Sequence, residues 1–138
     1  MITIREFKDQ YMSGRDRFDG NLVSQKYGEY FRENAQVGEG ATVCYFSDAH
    51  AYTIIKRTAK TLTLQRDKAT LKKSFKPEFI VGGFCAHCTN QSEQDYDYER
   101  DPNGIIETAH WSERKKGFYV NGCLHVIPNR REFYDYNF

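Results

Sequence analysis

No stretch of this sequence reaches the roughly 18 consecutive apolar residues that a membrane-crossing helix requires. The opening residues, MITIREFKDQYMSG, carry charges throughout and hold no apolar segment of the kind a secretory signal contains. Both absences point to a cytoplasmic chain without a membrane partner. The four cysteines are then expected as reduced thiols, not as a disulfide framework. Charge of one sign is missing as well. Twenty basic residues against nineteen acidic ones leave a net charge of +1, so no overall field draws the chain to a polyanion. An extended duplex partner is disfavoured, and any anion site must be a local patch.

The signatures of several enzyme classes are absent too. There is no P-loop, no Gly-x-Gly-x-x-Gly turn and no Gly-x-Ser-x-Gly elbow. His50, His87, His110 and His125 could in principle pair with a cysteine, but no acid stands where it would orient such a base. Asp95, Asp97 and Glu99 alternate with Tyr96 and Tyr98, which reads as the solvated face of a strand better than as a catalytic carboxylate pair. The expectation is a binding protein, not an enzyme. Internal repeats and low-complexity segments are also missing.

What the sequence does have is aromatic side chains: ten Tyr, ten Phe and one Trp, 15% of 138 residues. Tyr and Phe suit pleated, half-buried surfaces, which favours a β-rich domain of ordinary single-domain size. Thr3 and Glu6 have the spacing of a capping box, and Ile4, Phe7 and Tyr11 share a helical face that Gly14 is placed to end. A second helix is expected over 22–34, where Gly28 costs about 1 kcal/mol relative to Ala. Residues 1–35 thus form a helical N-terminal arm that packs on the rest of the chain or on a second subunit.

From Val37 the texture changes. VGEGATVCYF, YTIIKRT and TLTLQRD read as three short strands joined by tight turns, with Leu62 and Leu64 on one face of the third. The fold class expected is β-rich (α+β): a small SH3-like or KOW-like barrel over 36–138, with an insert at about 68–94. After the insert come a strand at DYDYER, an Asp-Pro-Asn-Gly turn, and two paired segments joined near Asn121-Gly122. The closing NRREFYDYNF is aromatic enough to dock on the domain.

Two binding chemistries follow from the residues. Lys56, Arg57, Arg66 and Lys68 flank the strand ends, with the Tyr52 ring beside them and Arg131 in the tail. Guanidinium forks with stacking rings recognise phosphates and bases, so these six are the candidates for a nucleotide-type ligand. Arg130-Arg131 could join that patch across a homodimer or higher oligomer. The second chemistry is zinc as a cofactor, the first expectation being none. Cys85-x-x-Cys88 and Cys123-x-His125 offer four N/S ligands in two pairs, although a gap of one residue is unusual for the second pair. Cys44 reads as a small buried apolar residue.

The run GATVCYFSDAHAYTIIKRTAKTLTLQRDKA, followed by YDYERDPNG, HWSE and the terminal FYDYNF, resembles a family of small proteins carried by bacteriophages and mobile elements. The likeness rests on Gly40 to Thr42, Ser47-Asp48, Thr53-Ile54, Gln65 to Ala69 and Tyr134 to Phe138, and covers about residues 37–138. The pattern has no activity attached to it, so it assigns no catalytic residue. It implies an accessory protein that works in the cytoplasm of a bacterial host and counters host defence, by sequestering a nucleotide signal or by blocking a host defence protein. The alternatives are a nucleic-acid-binding accessory protein and a zinc-stabilised interaction module.

Overall fold

The computed structural model describes residues 1–82 and 85–137, with the side chains of all these except 81, 82, 85 and 86. Helix α1 spans Ile4–Tyr11, and its N-cap is Thr3, whose hydroxyl accepts the Glu6 amide at 3.2 Å. A short 3-10 turn over Gly14–Phe18 leads to helix α2, Gly20–Asn34. The Asp19 carboxylate caps α2 by accepting the amides of Asn21 and Leu22, satisfying donors that a helix start leaves free. Phe7, Met12, Val23 and Tyr27 form a small core between the helices, and the Tyr27 hydroxyl donates to the Ile2 carbonyl at 2.6 Å.

Six strands close into an antiparallel barrel: β1 Gly40–Cys44, β2 Ala49–Arg57, β3 Thr61–Arg66, β8 Ile106–Ser112, β9 Gly117–Val120 and β10 Leu124–Pro128. Each barrel strand neighbours the next one along the chain, and β10 returns to β1. The expected small β-rich barrel with a short helical arm is the observed architecture. Period-two alternation sets its interior: Ala41, Val43, Ile54, Leu62, Leu64, Ala109 and Phe118 are completely buried. The β9–β10 turn carries positive φ at Asn121 (52°) and Gly122 (75°), with the Cys123 amide donating to the Val120 carbonyl. That is the turn chemistry Asn-Gly favours.

Helix α2 lies over one end of the barrel. Phe31 and Ala35 belong to the barrel's own core, with the Phe31 ring edge-on to Phe118 at 5.8 Å. Gly28 makes this approach possible: a Cβ built there would sit 1.9 Å from the Lys116 carbonyl oxygen in the β8–β9 turn. The glycine that weakens the helix in isolation is what lets the helix dock.

The chain leaves the barrel between β3 and β8, an excursion over 67–105 that is longer than the sequence pattern implied. It contains β4 Lys68–Leu71 paired with β7 Tyr96–Glu99, and a hairpin of β5 Phe79–Gly82 with β6 Cys85–Cys88. The DYDYER strand is thus present, but its partner is β4 and not a barrel strand. At the end remote from α2, β3 pairs with β2 only as far as Tyr52 and Arg66. The C-terminal tail takes over there, with Phe133 and Ala49 exchanging both backbone hydrogen bonds. Among the described residues no helix is long and apolar enough to cross a membrane.

Candidate ligand groove between the helical arm and the barrel

The arginines on strands β2 and β3 are spent on the fold. Arg57 donates Nη1 to the Ala35 carbonyl at 2.6 Å and Nη2 to the Arg32 carbonyl at 2.7 Å. These are orphan acceptors at the α2 C-terminus, where a cation is also favoured by the helix dipole. Arg66, at the opposite barrel end, donates Nη1 to the Ala51 and Asp67 carbonyls and Nη2 to Glu132 at 2.8 Å. Its guanidinium lies 5.9 Å from the ring of Tyr52. Tyr52 is itself buried at 3% exposure, and burial, the largest influence, raises its phenol pKa. Arg66 and Tyr52 therefore meet, with their polar groups turned to protein partners. Lys56 and Lys68 are exposed, Lys68 standing opposite Glu99 in the β4–β7 pair.

Glu132 organises that barrel end. Its Oε2 accepts from His50 Nδ1 as well as from Arg66, both at 2.8 Å, and its Oε1 accepts the Ala51 amide at 3.0 Å. Burial alone would raise the carboxyl pKa, but His50, the Ala51 amide and Arg66 together outweigh it and hold the pKa below the usual range. Beside it, a polar pocket of about 370 Å³ opens between the tail and the insert, lined by Tyr96, Tyr98 and Arg131 but also by Asp95 and Glu132. Two carboxylates in its wall oppose an anionic ligand.

Arg131 is different. It is exposed, makes no ion pair among the described residues, and lies 5.5 Å over the Phe133 ring. It also lines a second cavity of about 400 Å³, the groove between the helical arm and β10. Ile4 supplies one apolar lip, α2 contributes Tyr27 and the nearly buried Phe31, and Ile127 and Pro128 of β10 line the facing side. Thr3, Ser24, His125, Asn129 and Arg130 join Arg131 as polar residues of its lining, and among the described residues lining it there is no Asp or Glu. The geometry is that of a typical small-molecule site: mostly apolar walls with a few convergent polar groups. Desolvation, the larger influence, and the Lys115 charge lower the His125 pKa. Its ring stacks on Tyr119 at 4.9 Å, and Gly117 leaves room for it.

The four zinc candidates are placed as follows. Cys88 is buried, with Sγ 3.5 Å from Asn90 Oδ1. Cys123 is exposed in the β9–β10 turn and His125 lies in the groove. The Cys85 side chain lies outside the described residues. Among the described residues no group of three His, Cys, Asp or Glu side chains is placed to hold a metal ion.

Of the six phosphate candidates, Arg131 alone lines the groove. Sequence reading did not reach Ser24, Tyr27, Phe31 or Pro128, because each looks like ordinary helix or strand patterning until the arm is folded against β10. The run Asn129-Arg130-Arg131 straight after a strand was the available signal. Comparison with known proteins finds no matching family model, no similar curated protein and no similar solved structure.

Proposed function

We propose that this chain is a non-enzymatic binding protein whose groove between the helical arm and β10 takes up a small organic anion. The observation that carries the reading is the groove's composition: apolar and aromatic walls, two arginines at one end, and no carboxylate among its described lining residues. The nucleotide-type signal expected from the sequence is one member of that ligand class. The resemblance to phage and mobile-element proteins is what supports a counter-defence setting for such capture.

Thermal denaturation in the presence of nucleotides, phosphate esters and carboxylates tests this directly. At least one anion should raise the melting temperature of the wild type and leave Arg131→Glu unchanged. Stabilisation by none of them sinks the reading.

A second reading, the blocking of a host defence protein, has its own support in an exposed apolar strip beside the tail. Phe79 and Tyr134 are half exposed, and Tyr136 bridges them, 6.1 Å from Phe79 and 4.8 Å from Tyr134. A protein partner would lose affinity in Phe79→Ser while small-anion binding persisted.

A further inference from the structure

Among its described residues the groove offers a ligand one free charge. Arg130 gives Nε to the buried Asp67 carboxylate at 2.8 Å and Nη2 to the Thr53 hydroxyl at 2.9 Å. Asp67 is 4% exposed, so this ion pair is sheltered and Arg130 is neutralised where it stands. Arg131 has no such partner among the described residues. A polyphosphate would bring several negative charges to a single guanidinium and leave the others partly desolvated, which is costly.

The walls impose a second limit. Ile4, Tyr27, Ile127 and Pro128 present carbon, and the Tyr27 hydroxyl is already committed to the Ile2 carbonyl. Burial, its largest influence, pushes that phenol's pKa up to about 12. A nucleobase slid between these walls would leave its polar edge unmatched, at the full desolvation cost of each group. A hydrocarbon chain or an unsubstituted ring loses nothing there and is stabilised in proportion to the apolar area it removes from water.

Size sets the length of such a body. At about 30 Å³ for each water-sized group, a volume of about 400 Å³ holds a hydrocarbon body of roughly ten CH2 groups with a small head.

Resting on the groove as the ligand site, we infer that its ligand is an amphipathic anion: a hydrocarbon body of about ten carbons with a single phosphate or carboxylate head. The body lies between α2 and β10, and the head meets Arg131 at the groove mouth. Ser24, exposed on α2 and facing the groove, is the position from which a larger side chain fills it.

The experiment is isothermal titration with decyl phosphate and with decanoate, each below its micelle concentration, and with AMP. The proteins are wild type, Ser24→Trp, Arg131→Glu and Arg131→Lys, with helix content checked by circular dichroism. Decyl phosphate or decanoate should bind one per chain, and the tighter of the two identifies the head group. Binding should be lost in Ser24→Trp, fall about tenfold or more in Arg131→Glu, and be largely retained in Arg131→Lys. Amphiphile binding that survives Ser24→Trp overturns the inference. AMP binding that Ser24→Trp abolishes, with no amphiphile binding, overturns the inference and leaves the groove reading standing. Binding of none of the three overturns both.

Discussion

Arg66 Nη2 and Glu132 Oε2 lie 2.8 Å apart, and through this pair strand β3 holds the C-terminal tail against β2. The side chains are 25% and 10% exposed, so solvent screens the pair only in part. Glu132 also accepts from His50 and from the Ala51 amide, and its own amide donates to the Tyr98 hydroxyl. Replacing Arg66 by Ala removes one charged partner and leaves the other half-sheltered. The expected loss is about 2–3 kcal/mol in urea denaturation, the range for a charge-assisted hydrogen bond. Amide exchange at Phe133 should accelerate with it. Unchanged protection at Phe133 would show that the pair does not fasten the tail.

Acidification should release the same contact. The folded pKa of Glu132 lies below its unfolded value of about 4.3. The stabilisation is therefore fully present above that value and is lost as pH falls through the folded pKa. The protection factor at Phe133, corrected for intrinsic exchange, should fall below about pH 4, and Glu132→Gln should flatten that part of the profile. An identical profile in wild type and Glu132→Gln contradicts this assignment.

Arg57 is predicted to matter for folding and not for ligand capture. Its guanidinium satisfies the Ala35 and Arg32 carbonyls at the end of α2. Arg57→Ala should cost about 2 kcal/mol, a melting temperature lower by several degrees in a domain of this size. Affinity for the groove ligand should stay within about twofold, a change of under 0.5 kcal/mol. A large affinity loss at unchanged stability would return Arg57 to the binding surface.

Gly28→Ala separates helix propensity from packing by sign. Propensity alone predicts a gain of about 1 kcal/mol. The Lys116 carbonyl oxygen, 1.9 Å from where the new methyl group would sit, predicts a loss of about 1–3 kcal/mol, because backbone in a tight turn must move. Chemical denaturation of the two proteins decides between them.

These residues also show where sequence reasoning reaches its limit. Thr3 and Glu6 disclosed the first helix, Leu62 and Leu64 the inward face of β3, and Asn121-Gly122 a hairpin turn, because each signal is complete within a few neighbouring residues. Gly28 could not be read in that way: its reason is the Lys116 carbonyl, remote along the chain and brought near only by the fold. Arg57 and Arg66 carry the composition of a phosphate site, yet their donors are consumed by acceptors whose positions depend on tertiary folding. The groove draws its walls from α1, α2 and β10, three elements that no local pattern links. Arg131 was legible as a candidate because it stands beside Arg130 and an aromatic tail; that its neighbour is neutralised by Asp67 was not.

The most direct test of the groove as the working site is the map of amide chemical-shift changes in ¹⁵N-labelled protein titrated with decyl phosphate. Saturable shifts are expected at Ser24 to Phe31 on α2, at His125 to Ile127 on β10 and at Asn129 to Arg131 beyond it, with little change at Gln94 to Tyr98. Shifts centred on Gln94 to Tyr98, or spread over the exposed Phe79 and Tyr134, would contradict it.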